Sequence, residues 1–563
     1  MSTTPAATFL DPDRLRLGGP KGLVRATERL LLHLGFDDIR NIDGAHDEGG
    51  DILAHRQGLR WVLQCRWTSG ETISDAAVTE VDGAKMFYRA DRAVVVTNAR
   101  PGRGALDRRD RLRSVGVKID FWGGQVLSKF ALDDALTPPY APSRIVPRPY
   151  QQQAIDEAKA ALAAQRRAFL ILATGLGKTV VAGELIREHQ TASPGANTVL
   201  IVAHMKDLVR QLERATWRHL PKTAITWVLT GDERPPTLEG VVCATIDGAL
   251  KAIQSGWRPT LVVVDEAHHV GEGGMFRRLI EELGDDVPRV GMTATPWRGD
   301  RYDVSDTFGP AVFKMGIAEG MQAGYLSQVD YRLFLDEIDW HAVREASEYG
   351  LSLGDLNARL FLPQRDEAVI DSLRATWATT KTPRAVVFCR TIAHAEEFAQ
   401  LLREAGWRRS ECLNSEQSRR ERNILLSEFR DGRVPIVTTV DILNEGVDVP
   451  DVNIICFLRV THSRRISVQQ LGRGLRVQTG KEKVTVLDFV SDLRRIKATL
   501  DLKNALERIP EDEIERLQLP SSTIDFSNPE IGSFLEEWLK DAASLEDADE
   551  EVRLQFPYVP TGR

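Results

Sequence analysis

Short, largely apolar runs alternate with segments whose apolar residues recur at helical spacing. Phe169–Leu172, Thr198–Ala203, Gly240–Ala244, Leu261–Val264 and Val290–Met292 form one series of such runs. Ala385–Cys389, Ile436–Thr439, Asn453–Phe457 and Val484–Phe489 form a second. Runs of this length without polar alternation are the mark of strands buried on both faces. Between them, Val180–Arg187, the segment from Lys206, Ala393–Ala405 and Glu421–Phe429 have helical spacing. Strand and helix in regular alternation predict two parallel α/β sheets in tandem. The pattern before them differs. Pro20–Leu34 reads as a helix with Leu23, Thr27, Leu30, Leu31 and Leu34 on one face and Gly35 to end it. Ile52–His55 and Leu59–Trp67 read as strands joined by the two-residue turn Gln57-Gly58. Val81–Tyr88 reads as a helix, Ala93–Asn98 as a buried strand and Arg108–Arg113 as a basic helical patch.

These patterns divide the chain. Residues 1–19 are punctuated by Pro and Gly and expected to be a flexible arm; 20–132 form the first domain and 133–147 a proline-rich linker. Residues 148–310 and 311–500 are the two α/β lobes, and 501–563 an acidic tail with a short helix starting at Asn528-Pro529. No apolar run is long enough to span a bilayer, and MSTTPAATFL has no charged stretch followed by an apolar one, so a cytoplasmic protein is expected. Cys65, Cys243, Cys389, Cys412 and Cys456 lie far apart and form no CxxC pair, which argues for reduced core thiols. The net charge of −8 changes meaning once it is mapped. The tail holds 16 Asp/Glu against 6 Lys/Arg, so the rest of the chain is close to neutral and nucleic acid is not excluded.

Candidate chemistry sits where apolar runs end. Phe169–Leu172 runs into Ala173-Thr174-Gly175-Leu176-Gly177-Lys178-Thr179 and then into a helix. Strand, glycine loop and helix in that order can wrap backbone N–H groups around a triphosphate. Lys178 would reach the β and γ phosphates and Thr179 would hold Mg²⁺. Leu261–Val264 delivers Asp265-Glu266-Ala267-His268, with Asp265 placed to bind Mg²⁺ and Glu266 to polarise the attacking water. In the second lobe, Arg473 and Arg476 share a helix face and suit a hydrolysis transition state. In the first domain, the Gln57-Gly58 turn sets a register that pairs 51 with 64. Asp51 and Gln64 then face each other about 5 Å apart, and Arg66 projects from the same sheet face. A carboxylate, an amide oxygen and a cation so placed make a candidate divalent-metal and phosphate site, with Gly49-Gly50 leaving room for a backbone to approach.

Residues 20–132 resemble an Mrr-type restriction endonuclease domain of the PD-(D/E)xK class. The features are the Glu28 helix ending in Leu34–Phe36, Gly49–Asp51, the LQCRW stretch and Val94–Ala99. The resemblance implies cleavage by Asp51, Gln64 and the residue two beyond it. Here that position is Arg66, which can stabilise an anionic phosphorane but does not give up a proton. Residues 145–495 resemble a superfamily 2 helicase core with two RecA-like lobes, through RPYQ, the phosphate loop, DEAH, TATP, EGVD and QQLGRGLR in order. The nearer likeness is to translocases of type I and III restriction enzymes and to XPB-like proteins. It implies that Gln151 reads adenine, and that Thr174, Gly175, Gly177, Lys178 and Thr179 cradle ATP. It also implies that Thr293 and Thr295 couple hydrolysis to movement, Gly446 and Asp448 serve nucleotide and strand contacts, and Gln469, Arg473 and Arg476 complete the site. The expected fold is a restriction-endonuclease-like α/β domain, two RecA-like lobes and a helical acidic tail. The expected function is an ATP-dependent DNA translocase with an endonuclease domain, acting on foreign DNA, with target-recognition proteins as possible partners. The alternatives are a DNA remodeller with an inactive nuclease fold, and an RNA-dependent ATPase.

Overall fold

A computed structural model describes residues 8–43, 48–132, 145–192, 197–270, 274–294, 304–334, 366–440, 452–458, 483–489 and 524–526. The first domain runs α1 (Pro12–His33), β1 (Asp37–Asn41), β2 (Ile52–Arg56), β3 (Leu59–Arg66), β4 (Thr72–Ile73) and α2 (Ala76–Phe87). It continues with β5 (Arg92–Thr97), β6 (Arg100–Pro101), α3 (Arg103–Ser114), β7 (Ile119–Trp122) and α4 (Gly124–Leu132). Its sheet has the order β1-β2-β3-β5-β7. The hairpin turns through Gln57 and Gly58, both at positive φ, and pairs Ile52 with Leu63 and Arg56 with Leu59. One residue further the ladder leaves this register: the Asp51 N–H donates to the Leu63 carbonyl at 2.9 Å, and the Asp51 side chain turns to the Cys65 N–H. Alternation then decides what each face meets. Ile52, Ala54 and Leu63 pack with α1 residues such as Leu30 and Leu31, while Leu53 and Val62 pack with α2 residues Val78 and Val81.

The first lobe runs α5 (Pro149–Gln165), β8 (Arg167–Leu172), α6 (Lys178–Ala192), β9 (Val199–Ala203), α7 (Lys206–Trp217), β10 (Thr226–Leu229) and β11 (Val241–Thr245). Then come α8 (Ile246–Gln254), β12 (Leu261–Val264), α9 (Met275–Leu283), β13 (Arg289–Thr293), α10 (Ser305–Phe308), β14 (Ala311–Met315) and α11 (Ile317–Gln322). All seven strands of its sheet are parallel, in the order β10-β11-β9-β12-β13-β8-β14. Leu170, Leu172, Val199 and Ile201 enter the core on one face, and Phe169, Leu200 and Val202 the core on the other. The second lobe contains β15 (Gln328–Phe334), α12 (Asp366–Thr379), β16 (Ala385–Phe388), α13 (Ile392–Glu404), β17 (Glu411–Leu413), α14 (Arg419–Arg430), β18 (Ile436–Thr439), β19 (Ile454–Phe457), β20 (Lys483–Phe489) and β21 (Ile524–Phe526). Its strands, also parallel, follow the order β17-β18-β16-β19-β20-β15-β21.

Three expectations need correction. Residues 8–19 are not a loose arm. Pro12 starts α1 behind an Asp11 cap, the helix bends at Gly19 (φ 63°), and Leu10 and Leu15 are buried. The first lobe does not end at 310, because β14 pairs in parallel with β8. Its short, mixed pattern gave no strand signal. The second lobe is not complete at 500, because β21 from the acidic stretch adds to the edge of β15. The helix expected near Asn528 lies outside the described residues. Among the described residues no helix is long and apolar enough to cross a membrane.

Candidate functional site

The loop after β8 turns through Gly175 (φ 92°) and Gly177 (φ 79°), a region side chains rarely adopt, and delivers Lys178 and Thr179 to the first turn of α6. Two side chains converge beneath it. The Tyr150 hydroxyl donates to the Leu176 carbonyl at 2.7 Å, and the Gln151 amide donates to the same oxygen at 2.9 Å. A Cβ on Gly177 would lie 2.4 Å from Gln151 Nε2, so the loop has no room for any other residue there. Gln151 Oε1 accepts from the Arg148 N–H at 2.9 Å. The glutamine expected to read adenine thus supports the phosphate loop, with both ends of its amide engaged by the chain itself.

β12 carries Asp265 and Glu266 to the same cleft. Lys178 Nζ bonds Glu266 Oε1 at 3.1 Å, with both side chains largely buried. Glu266 sits at φ 50°, a strained setting for a carboxylate and a frequent one at functional sites. Burial, followed by the Glu266 charge, raises the Asp265 carboxyl to about 6. His268 Nδ1 lies 3.3 Å from Glu266 Oε2 and 2.8 Å from Thr293 Oγ1, so the carboxylate is linked to the end of β13. Thr295, Gly446, Asp448, Gln469, Arg473 and Arg476 lie outside the described residues.

Thr174, Gly175, Gly177, Lys178, Thr179, Asp265 and Glu266 line a cleft of about 570 Å³. Its loop curvature, cation and paired acids suit a nucleoside triphosphate with a divalent cation held by Thr179 and Asp265. The other walls were not foreseen. Asp38 and Arg40 of the first domain and Arg422 and Arg430 of α14 face the same space.

The hairpin of the first domain holds the second candidate centre. Asp51 and Gln64 are buried. Asp51 Oδ2 accepts from the Cys65 backbone N–H at 2.5 Å, and the buried Gln64 Oε1 has no hydrogen-bond partner among the described residues. A carboxylate beside an unsatisfied buried amide oxygen is a donor pair a hard cation would satisfy. Among the described residues, no group of three or more His, Cys, Asp and Glu gathers as a metal site, so waters and phosphate oxygens would complete the shell. Arg66 lies on the face that α2 covers, and there it pairs with Glu80. Gly49 and Gly50 do leave room for a backbone, and the backbone is that of α2: a Cβ on Gly49 would lie 2.5 Å from the Glu80 carbonyl oxygen. Glu28 belongs to the opposite side. It is buried and pairs with Arg214 of α7 in the first lobe. Neither Glu80 nor Arg214 stood out in the sequence, because each finds its partner through tertiary packing and carries no motif.

A restriction endonuclease family model matches residues 18–130. Models of the type III restriction enzyme res subunit and of the helicase conserved C-terminal domain match 144–298 and 365–478. The chain thus carries, in order, a restriction endonuclease domain and two segments that match helicase models. Among its relatives is irc3 of Schizosaccharomyces pombe, named as a mitochondrial ATP-dependent helicase, 26% identical over 68% of this chain and 63% of that protein. The Type I restriction enzyme EcoAI endonuclease subunit of Escherichia coli is 26% identical over 61% of this chain and 46% of that protein. The chain thus spans about half to under two-thirds the length of these two relatives. The ATP-dependent Type ISP restriction-modification enzyme LlaBIII, bound to DNA, superposes on 94% of this chain and 42% of its own with TM-score 0.53. At 17% identity, that likeness shows the fold of the helicase core and its neighbour.

Proposed function

We propose that the chain is a DNA-directed ATPase that moves along DNA and presents it to its endonuclease domain. The observation that carries this reading is the shared cleft. The phosphate loop, Glu266, lobe-two arginines and the edge of the endonuclease domain all face one space. Lys178 leaves Glu266 for the β and γ phosphates when nucleotide enters, which releases Glu266 to orient the attacking water. Thr179 and Asp265 would hold Mg²⁺, which when bound would neutralise charge on the phosphates. By resemblance to the helicase family, Arg473 and Arg476 stabilise the hydrolysis transition state, and Gln469, Gly446 and Asp448 serve nucleotide and strand contacts. Closure of the lobes around γ-phosphate, relayed by His268 and Thr293, drives each step. In the endonuclease domain Asp51 and Gln64 hold the metal while Arg66 leaves Glu80 for the scissile phosphate. Foreign DNA in a bacterial cytoplasm is the substrate the restriction relatives suggest, with partner proteins supplying target recognition.

Lys178→Ala should lower DNA-stimulated ATP hydrolysis by about a hundredfold or more. Unchanged hydrolysis would refute the assignment. Asp51→Ala, assayed on plasmid with Mg²⁺ or Mn²⁺, should remove cutting while ATP hydrolysis persists. If the unaltered protein cuts under no condition, the endonuclease domain grips DNA and the remodeller reading replaces this one. Stimulation by single-stranded RNA above that by DNA would favour the RNA-dependent alternative.

A further inference from the structure

The endonuclease domain touches both lobes, the first chiefly through α1 and the second through β1, β2 and the end of α2. On the side of the first lobe, the buried Arg29 donates to the carbonyls of Ala224 at 2.8 Å and Pro221 at 2.9 Å. The Phe9 N–H donates to the Lys222 carbonyl at 3.0 Å, Lys21 reaches the Asp232 carbonyl at 2.9 Å, and Arg214 pairs with Glu28. Most of these bonds end on backbone, and α1 is held along its length. On the side of the second lobe, contact is made by α14 and the residue after it. Arg430 pairs with Asp37 at 2.9 Å and Asp431 with His55 at 3.0 Å. Asn423 donates to the Asn41 carbonyl at 2.6 Å, and Ile424 packs against the α2-side core. Arg420 donates to the Tyr88 hydroxyl at 2.6 Å.

Tyr88 is the residue that matters next. It follows α2, and a Cβ on Gly50 would stand 3.2 Å from its ring, so ring and loop are in close contact. Gly50 immediately precedes Asp51. A physical chain of contacts therefore runs from Arg420 of the second lobe through Tyr88 and Gly50 to the metal-binding carboxylate. The same α2 holds Glu80 on Arg66.

Given the proposed ATPase reading, on which this inference rests, we infer that the second lobe is a nucleotide-operated latch on the endonuclease centre. Lobe closure changes the angle between two bodies that the endonuclease domain spans, so one of its two interfaces has to shear. The lobe-two interface yields. Its closest ion pair is partly solvated, the Arg430 and Asp37 side chains being 37% and 59% exposed. Its buried guanidinium, Arg60, reaches side chains at long range, Asp431 at 3.8 Å and the Ser427 hydroxyl at 3.5 Å, where Arg29 holds two backbone carbonyls closely. The α1 interface stays, because breaking it would strip a buried guanidinium of its carbonyl partners. Release of Tyr88 from Arg420 loosens α2 over Asp51, Gln64 and Arg66. The centre then opens only while the motor holds nucleotide and DNA.

Hydrogen exchange on the full chain tests this, with and without a duplex and adenylyl-imidodiphosphate. Exchange should rise about tenfold in 37–42, 84–88 and 419–431 and stay unchanged in 23–33 and 213–226. Tyr88→Phe, which keeps the ring and removes the hydroxyl, should give the faster exchange in 84–88 without nucleotide, at unchanged DNA-stimulated ATP hydrolysis. Arg430→Glu, read by exchange alone because Arg430 also faces the nucleotide cleft, should speed exchange in 37–42 without nucleotide, and Asp37→Lys combined with it should restore protection. DNA-stimulated hydrolysis with unchanged protection at 419–431, or with loss of protection at 23–33, overturns the latch alone. Absence of hydrolysis in the unaltered protein overturns the ATPase reading and the latch together.

Discussion

The helicase core and the endonuclease domain each rest a cation on a carboxylate, and the two pairs differ in what they can do. Lys178 on Glu266 is largely enclosed, whereas the side chains of Arg66 and Glu80 are 40% and 37% exposed. The lysine is a compact charge on a flexible stem, at the first turn of a helix and beside a loop that two side chains brace from below. An arriving phosphate can exchange with Glu266 without rearranging the fold. The arginine is a rigid fork tied to a helix that also covers the donor pair beside it. Opening that centre requires α2 to move. On the proposed reading, the first pair waits on a braced loop for its substrate, while the second is held in place by α2.

The largest effect that probes this contrast belongs to Glu266→Gln. It keeps shape and removes the base, so ATP turnover should fall by about 10²–10⁴-fold while nucleotide binding persists in a fluorescence titration. Equal loss of binding would mean that Glu266 mainly holds Lys178 in place. Next is Arg66→Lys, which gives the endonuclease centre the kind of cation the helicase core uses. Metal-dependent plasmid nicking should rise by roughly tenfold to a hundredfold, and an unchanged rate would show that the cation's identity is not what limits cutting.

The smallest effect concerns α1, which lies between the two centres. His33 stacks on Phe9 beside Arg29, and burial, then the charges of Arg29 and Lys222, lower its pKa to about 3. Between about pH 6.5 and 3 the unfolded chain takes up a proton that the folded chain refuses. Stability is therefore full above that window and falls as pH drops through it, by at most about 1.4 kcal/mol per pH unit. Melting curves between pH 7.5 and 5.5 should be flatter for His33→Leu than for the unaltered chain. Parallel curves would show that the imidazole is protonated without cost.

The parallel sheets were legible because strands buried on both faces leave unbroken apolar runs. The hairpin register from Ile52–Leu63 to Arg56–Leu59 was legible because a two-residue turn with Gly58 admits few alternatives; the turn of Asp51 out of that register was not. The phosphate loop and Asp265-Glu266 came through for a similar reason: their chemistry is contiguous in sequence. What stayed hidden was non-local. Glu80, Arg214, Arg420 and Tyr88 matter through partners up to several hundred residues away, and no periodicity encodes that. β14 and β21 were missed because edge strands of a few residues carry too little pattern to outweigh their polar surroundings.

The strand at Ile524–Phe526 has a consequence for synthesis. Until residues 524–526 have been made, β15 presents an outer row of unpaired amides and carbonyls. A nascent or truncated product ending before residue 524 would carry that sticky margin, ready to recruit another copy's strand. The strand at 524–526 is therefore a seal against aggregation set within a stretch rich in negative charge.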